Sequence, residues 1–156
     1  MKKYIFCLVL VLSLSQLSYS QSLGNLMNSV SKAENVDKVK IGRFMMSLGK
    51  TFGGVGNMPV ARGIHSLEVY DLSGCDAAFK QNLQEQMYTL KDGDGYETLM
   101  TVNDKENNVR IMMKKDKNII KDMIILCLGD DDPAIVKFSG KIKEGDIAEL
   151  IKKYDK

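Results

Sequence analysis

Ile119-Ile-Lys-Asp-Met-Ile-Ile-Leu-Cys-Leu128 carries eight apolar residues in ten, several of them β-branched. A helix that crosses a bilayer needs about 20 apolar residues, so this run is the length of a buried strand. Lys117-Asn118 precedes it and Gly129-Asp-Asp-Asp-Pro133 follows it, both turn-forming. Val109-Arg-Ile-Met-Met113 and Ala134-Ile-Val-Lys-Phe138 flank it at strand length across short polar turns. Three strands joined this way form an antiparallel meander with Ile119–Leu128 at its centre. Alternation places Ile120, Ile124 and Leu126 on one face and Met123, Ile125 and Cys127 on the other. A strand apolar on both faces belongs inside a sheet, so Ile125→Ala should cost about 2–5 kcal/mol.

Further elements follow from periodicity. Ile64–Asp71 alternates as a half-buried strand, and Tyr96–Val102 does the same, with Tyr96, Thr98, Met100 and Val102 on one side. The polar loop from Asn103 to Asn108 joins the latter to Val109 as a hairpin. Phe79, Leu83, Met87 and Leu90 mark a helix capped by Asp76. Ile41, Phe44, Met45, Leu48 and Phe52 mark another from Gly42 to Phe52, and Ile147, Leu150, Ile151 and Tyr154 mark a last one. Val36–Ile41 reads as a short extended piece, and residues 21–35, rich in Ser, Asn and Gly, as a flexible leader. Consecutive strands beside segregated helices define an α+β domain over residues 36–156, a mainly antiparallel sheet of about five strands with amphipathic helices packed on it.

Residues 1–20 read as a secretory signal peptide: Lys2-Lys3, an apolar run from Ile5 to Leu14, then Ser18-Tyr19-Ser20, with cleavage expected between Ser20 and Gln21. The apolar run is about half the length of a spanning helix. Cys7 lies inside it rather than after the cleavage site, so the protein is not expected to be a lipoprotein. These features predict a periplasmic or secreted chain with no transmembrane helix after signal removal. Loss of Lys2 and Lys3 leaves 20 basic against 20 acidic residues, which offers no broad basic footprint for nucleic acid. Cys75 and Cys127 remain; Cys127 sits in the apolar run, where a thiol behaves as a small hydrophobe, although an exported pair can also oxidise.

The side chains that do chemistry are sparse. His65 is the sole histidine and no nucleophile-elbow sequence surrounds it. It lies 10 and 62 positions from Cys75 and Cys127, too far for the ligand spacing of structural zinc. Asp92-Gly-Asp-Gly95 begins like a calcium loop but continues with Tyr96, Glu97 and, at the twelfth position, Asn103, and so reads as a turn. Asp130-Asp-Asp132 reads as a solvated hairpin tip. Gly53-Gly-Val-Gly56 closes a helix, whereas a phosphate loop opens one. Met45-Met46 and Met112-Met113 are adjacent pairs whose members diverge, which favours packing over copper binding. No catalytic, cofactor or metal residue is assigned. The composition favours a non-enzymatic binding or regulatory module that contacts another envelope protein. The alternative is a carboxylate-dependent hydrolase of the periplasm, whose two acidic groups could converge from distant positions.

Gly42-Arg-Phe-Met-Met-Ser-Leu48, Ile64-His-Ser-Leu-Glu-Val-Tyr70 and Ile135-Val-Lys-Phe-Ser-Gly-Lys-Ile142, in this order and spacing, resemble the DUF4252 family of uncharacterised exported proteins from Bacteroidetes. The resemblance covers most of the chain after residue 20. It implies an envelope-stress or regulatory setting and carries no functional residues with it.

Overall fold

The structure is a computed structural model that describes residues 22–43, 59–103, 108–129 and 132–147. In chain order the elements are α1 (Leu23–Lys32), β1 (Asp37–Ile41), α2 (Pro59–Gly63), β2 (Ile64–Asp71), α3 (Ala77–Thr89), β3 (Tyr96–Asn103), β4 (Asn108–Asp116), β5 (Ile119–Cys127) and β6 (Ala134–Lys143). The strands form one sheet of six in the order β1-β2-β6-β5-β4-β3, every neighbouring pair antiparallel. The meander β4-β5-β6 is present and β5 lies within the sheet, as its composition requires. The extended piece before Gly42 is a full strand, β1, and raises the count from about five to six.

Both long helices cover one face. α3 starts where Asp76 accepts the Phe79 amide at 2.7 Å and lowers Leu83 and Met87 into the core. Gln84 on its next turn donates through Nε2 to the Leu128 carbonyl. α1 corrects the reading of residues 21–35 as a flexible leader. Ser22 caps it by accepting the Asn25 amide at 3.2 Å, and Leu23, Leu26 and Val30 are buried. The Ser, Asn and Gly residues that made this segment look loose occupy the solvent side of an amphipathic helix. Together α1 and α3 enclose Tyr70, Leu72, Met112, Ile124, Leu126 and Ile135 in the main core.

A smaller core of Met113, Ile120 and Ile142, with Ile64 and Met123 against it, lies on the opposite face. Ile120 was expected beside Ile124. A bulge between Ile120 and Asp122 adds one residue to β5 and turns Ile120 to the other side. A bulge between Thr98 and Met100 does the same in β3. Tyr96 and Thr98 therefore face the helices, whereas Met100 and Val102 face away. Ile125 is only half-buried, so the heavier truncation cost belongs to Ile124, which is 2% exposed.

The end of β6 is held against α2 by two glycines. A Cβ on Gly140 would clash with the Gly63 carbonyl, and one on Gly63 would stand 2.7 Å from the Lys141 carbonyl oxygen. At the other end of the sheet, Asp92–Gly95 is a turn, with Asp94 at φ 53° and Gly95 at φ 82°. Residues 144–147 begin the expected last helix. The remainder of that helix, the expected helix beyond Arg43 and the Gly53–Gly56 stretch fall outside the described residues.

Candidate functional site

Register converts the strand order into an unbroken apolar row on the face away from α1 and α3. Val39, Val69, Val136, Ile125, Ile111 and Met100 stand side by side across all six strands. Leu67, Phe138 and Met123 continue the face on one side of this row, and Ala134, Cys127 and Val109 on the other. The inner members are half-buried, and the outer ends, Val39 at 55% and Met100 at 48%, are exposed. Leu99 and Val102 add to the exposed apolar surface along edge strand β3. Such a face offers contact area, and the Cys127 thiol is the one nucleophilic group among its named members.

On the helix face the margins of the sheet are polar. Glu68 accepts the Tyr70 hydroxyl at 2.8 Å and pairs with Lys40 at 3.0 Å and Lys38 at 3.8 Å. Burial pushes the Glu68 carboxyl upward, but the bonds from Tyr70 and Lys40 and the charges of both lysines outweigh it and hold the group below the usual range. Across the sheet, Arg110 donates to the Met87 carbonyl at 3.0 Å and to Thr98 Oγ1 at 2.8 Å. It therefore caps α3 and ties it to β3. Asp92 accepts the Thr98 amide at 3.0 Å and its hydroxyl at 2.6 Å, which gives the Asp92–Gly95 turn a structural task.

A third polar group stands in the next row of the helix face. Ser139 donates its hydroxyl to Asp122 at 2.6 Å. Tyr96 is pushed up to about 12 by burial, then by the charge and hydrogen bond of Asp122. Nucleophilic catalysis needs the carboxylate behind a histidine and the histidine against the hydroxyl, whereas here the carboxylate takes the hydroxyl directly. His65 lines a concavity with Ser66 and Ser139, and that concavity is basic, with Arg43, Lys121 and Lys141 at its rim.

Of the other residues weighed from sequence, Met112 points into the main core and Met113 into the smaller one, so the pair diverges. Cys75 and Cys127 are free. Asp132 is described but Asp130 and Asp131 are not, and Ser20 and Gln21 also lie outside the described residues. Among the described residues no three His, Cys, Asp or Glu side chains gather at metal-binding distance, and no helix is long and apolar enough to cross a membrane. Sequence reasoning passed over the six-strand row, because its members come from six segments with no common local signal. It also missed the basic concavity, whose side chains lie far apart in the chain.

The fold defines an α+β protein whose sheet carries α1 and α3 on one face and an apolar row on the other. The chain matches the family model described as "Domain of unknown function (DUF4252)" over residues 28–150 and belongs to that family. No curated protein and no solved structure matches it significantly.

Proposed function

We propose that this chain is an exported, non-enzymatic binding or regulatory module of the cell envelope, and that it meets a partner protein through the outer face of its sheet. The row from Val39 to Met100 is the observation that carries this reading. The ends of the row, Val39 and Met100, and Leu99 and Val102 beside it are exposed, and apolar surface left against water is a cost that association removes. A specific interface buries about 800 Å² on each partner, a scale that a six-strand face can supply. The Lys2-Lys3 start, the apolar run and Ser18-Tyr19-Ser20 support export, and the balanced charge of the remaining chain supports a protein partner over nucleic acid.

A photo-crosslinking residue placed at Met100 or Val39 tests the surface, with Gln81 on the solvent side of α3 as the control. In intact envelopes the outer-face positions should give one discrete adduct and position 81 none. Equal labelling from both faces would remove the assignment. Turnover in a broad hydrolase screen, lost on substitution of a single Asp or Glu, would replace it with the carboxylate-hydrolase reading.

A further inference from the structure

Irregularities in three adjacent strands fall at one level of the sheet. In β2, His65 is extra: Ile64 and Ser66 pair with the consecutive residues Gly140 and Ser139 of β6. In β5, Lys121 is extra against Lys114 and Lys115 of β4. Between β5 and β6 the pairing steps from Ile120 with Ile142 to Asp122 with Ser139, so Lys121 lies across from Gly140 and Lys141 together. A bulged residue leaves the ladder and its side chain is re-aimed. His65, Lys121 and Lys141 are thereby gathered at a common place, and the contact of Gly140 with Gly63 fixes the backbone that does it.

The product is a concavity of about 470 Å³ lined by Arg43, His65, Ser66, Lys121, Ser139 and Lys141. Three of these side chains, Arg43, Lys121 and Lys141, are basic, and none of the described lining residues is a carboxylate. The nearby acidic groups compensate poorly. Asp116 reaches Lys121 only at 3.9 Å, with both side chains solvated, a separation and exposure at which an ion pair is weak. Asp122 accepts the hydroxyl of the lining residue Ser139 at 2.6 Å and so sets one negative charge behind the concavity, against three cations. Lys141 also borders an adjoining concavity of about 300 Å³ that contains Arg62, Lys143 and Asp146. Positive potential is therefore concentrated at this end of a chain whose overall charge is nearly balanced.

We propose that the concavity at the aligned bulges is a binding site for a phosphomonoester, either free or as the headgroup of a lipid. Arg43 supplies a planar fork suited to two phosphate oxygens, and Lys121 and Lys141 act as point charges. The Ser66 hydroxyl can donate a further bond. A single carboxylate would leave two of the three cations uncompensated, whereas a doubly charged tetrahedral group engages them from several oxygens. The site lies on the helix face of the sheet, so it is separate from the apolar outer face and does not depend on the role proposed for it.

Amide chemical shifts of the protein, followed at constant ionic strength, test the site with two probes: inorganic phosphate, and vesicles containing phosphatidic acid set against vesicles containing phosphatidylglycerol, whose phosphate is a singly charged diester. Saturable shifts confined to residues around His65, Ser66 and Ser139–Lys141 are expected. The Lys121→Gln/Lys141→Gln double variant should weaken binding at least tenfold, and Lys91→Gln, remote in sequence and exposed, should leave it unchanged. An unaltered urea midpoint shows that the double variant is folded. Shifts with phosphate assign a free ligand, and shifts with phosphatidic acid vesicles alone assign a headgroup. Absence of saturable shifts with both probes, or shifts that persist in the double variant, would overturn the proposal.

Discussion

Glu68 gathers two lysines and a tyrosine hydroxyl on one carboxylate, and the consequence is a pH dependence with a definite sign. Its folded pKa lies below the ordinary value of 4.5. The stabilisation is therefore complete above pH 4.5 and is lost as pH falls through the folded pKa. Glu68→Gln should cost about 1–2 kcal/mol at neutral pH, since bonds to a charged acceptor become bonds to a neutral one. Urea unfolding should show that cost shrinking as pH drops below 4.5; a constant difference down to acid unfolding would mean that the charge of Glu68 is irrelevant. Gly140 makes a steric claim instead of an electrostatic one. Its Cα faces the Gly63 carbonyl with no room for a methyl group, so Gly140→Ala should destabilise by about 1–3 kcal/mol, in the range of overpacked sites. Gly145→Ala, with nothing within 4 Å of the added carbon, provides the comparison for the same chemical change.

At the scale of elements, Ile124 and Ile125 separate what the sheet's two faces contribute. Ile124 is 2% exposed beneath α1 and α3, and Ile124→Ala should cost about 2–5 kcal/mol. Ile125→Ala removes a half-buried side chain from the outer row and should cost clearly less. Leu26→Ala in α1 should match Ile124→Ala, because Leu26 is fully buried in the same core; a negligible effect on the urea midpoint would return that segment to the status of a leader. These contrasts also show what was legible. β5 could be read from sequence because its length, apolarity and flanking turns are local properties. α3 could be read because Asp76 and the Phe79, Leu83, Met87 series lie within one window. The orientation of Ile120 could not, since the bulge at Lys121 depends on pairing with Gly140–Ile142 of another strand. α1 was missed because composition was weighed above the Leu23, Leu26, Val30 spacing that the segment does contain. The candidate surfaces were least legible, since both exist only once strand order brings distant segments together.

For the whole molecule, the sheet is a partition, and the two described cysteines, Cys75 and Cys127, lie on opposite sides of it. Cys75 belongs to the helix-face core and donates its thiol to the Asn35 carbonyl at 3.3 Å. Cys127 alternates with Leu126 and Leu128, which enter that same core, and so projects to the outer face beside Val109 and Ala134. A disulfide requires converging Cβ atoms and Cα atoms within about 7 Å, a demand that side chains on opposite faces do not meet without breaking the sheet. Cys75 and Cys127 should therefore remain thiols even under oxidising conditions. Burial raises both thiols above their usual range, so little reactive thiolate is present at neutral pH. Native alkylation should be slow, faster at half-buried Cys127 than at buried Cys75, and should accelerate as pH rises. Peptide mapping after iodoacetamide treatment of unreduced protein, before and after unfolding in urea, checks both statements. Adducts at both Cys75 and Cys127 should appear on unfolding, with Cys127 modified before Cys75 in the native state. An internal bridge in place of the adducts would contradict the separation of the faces, and faster modification of Cys75 would contradict its place in the core.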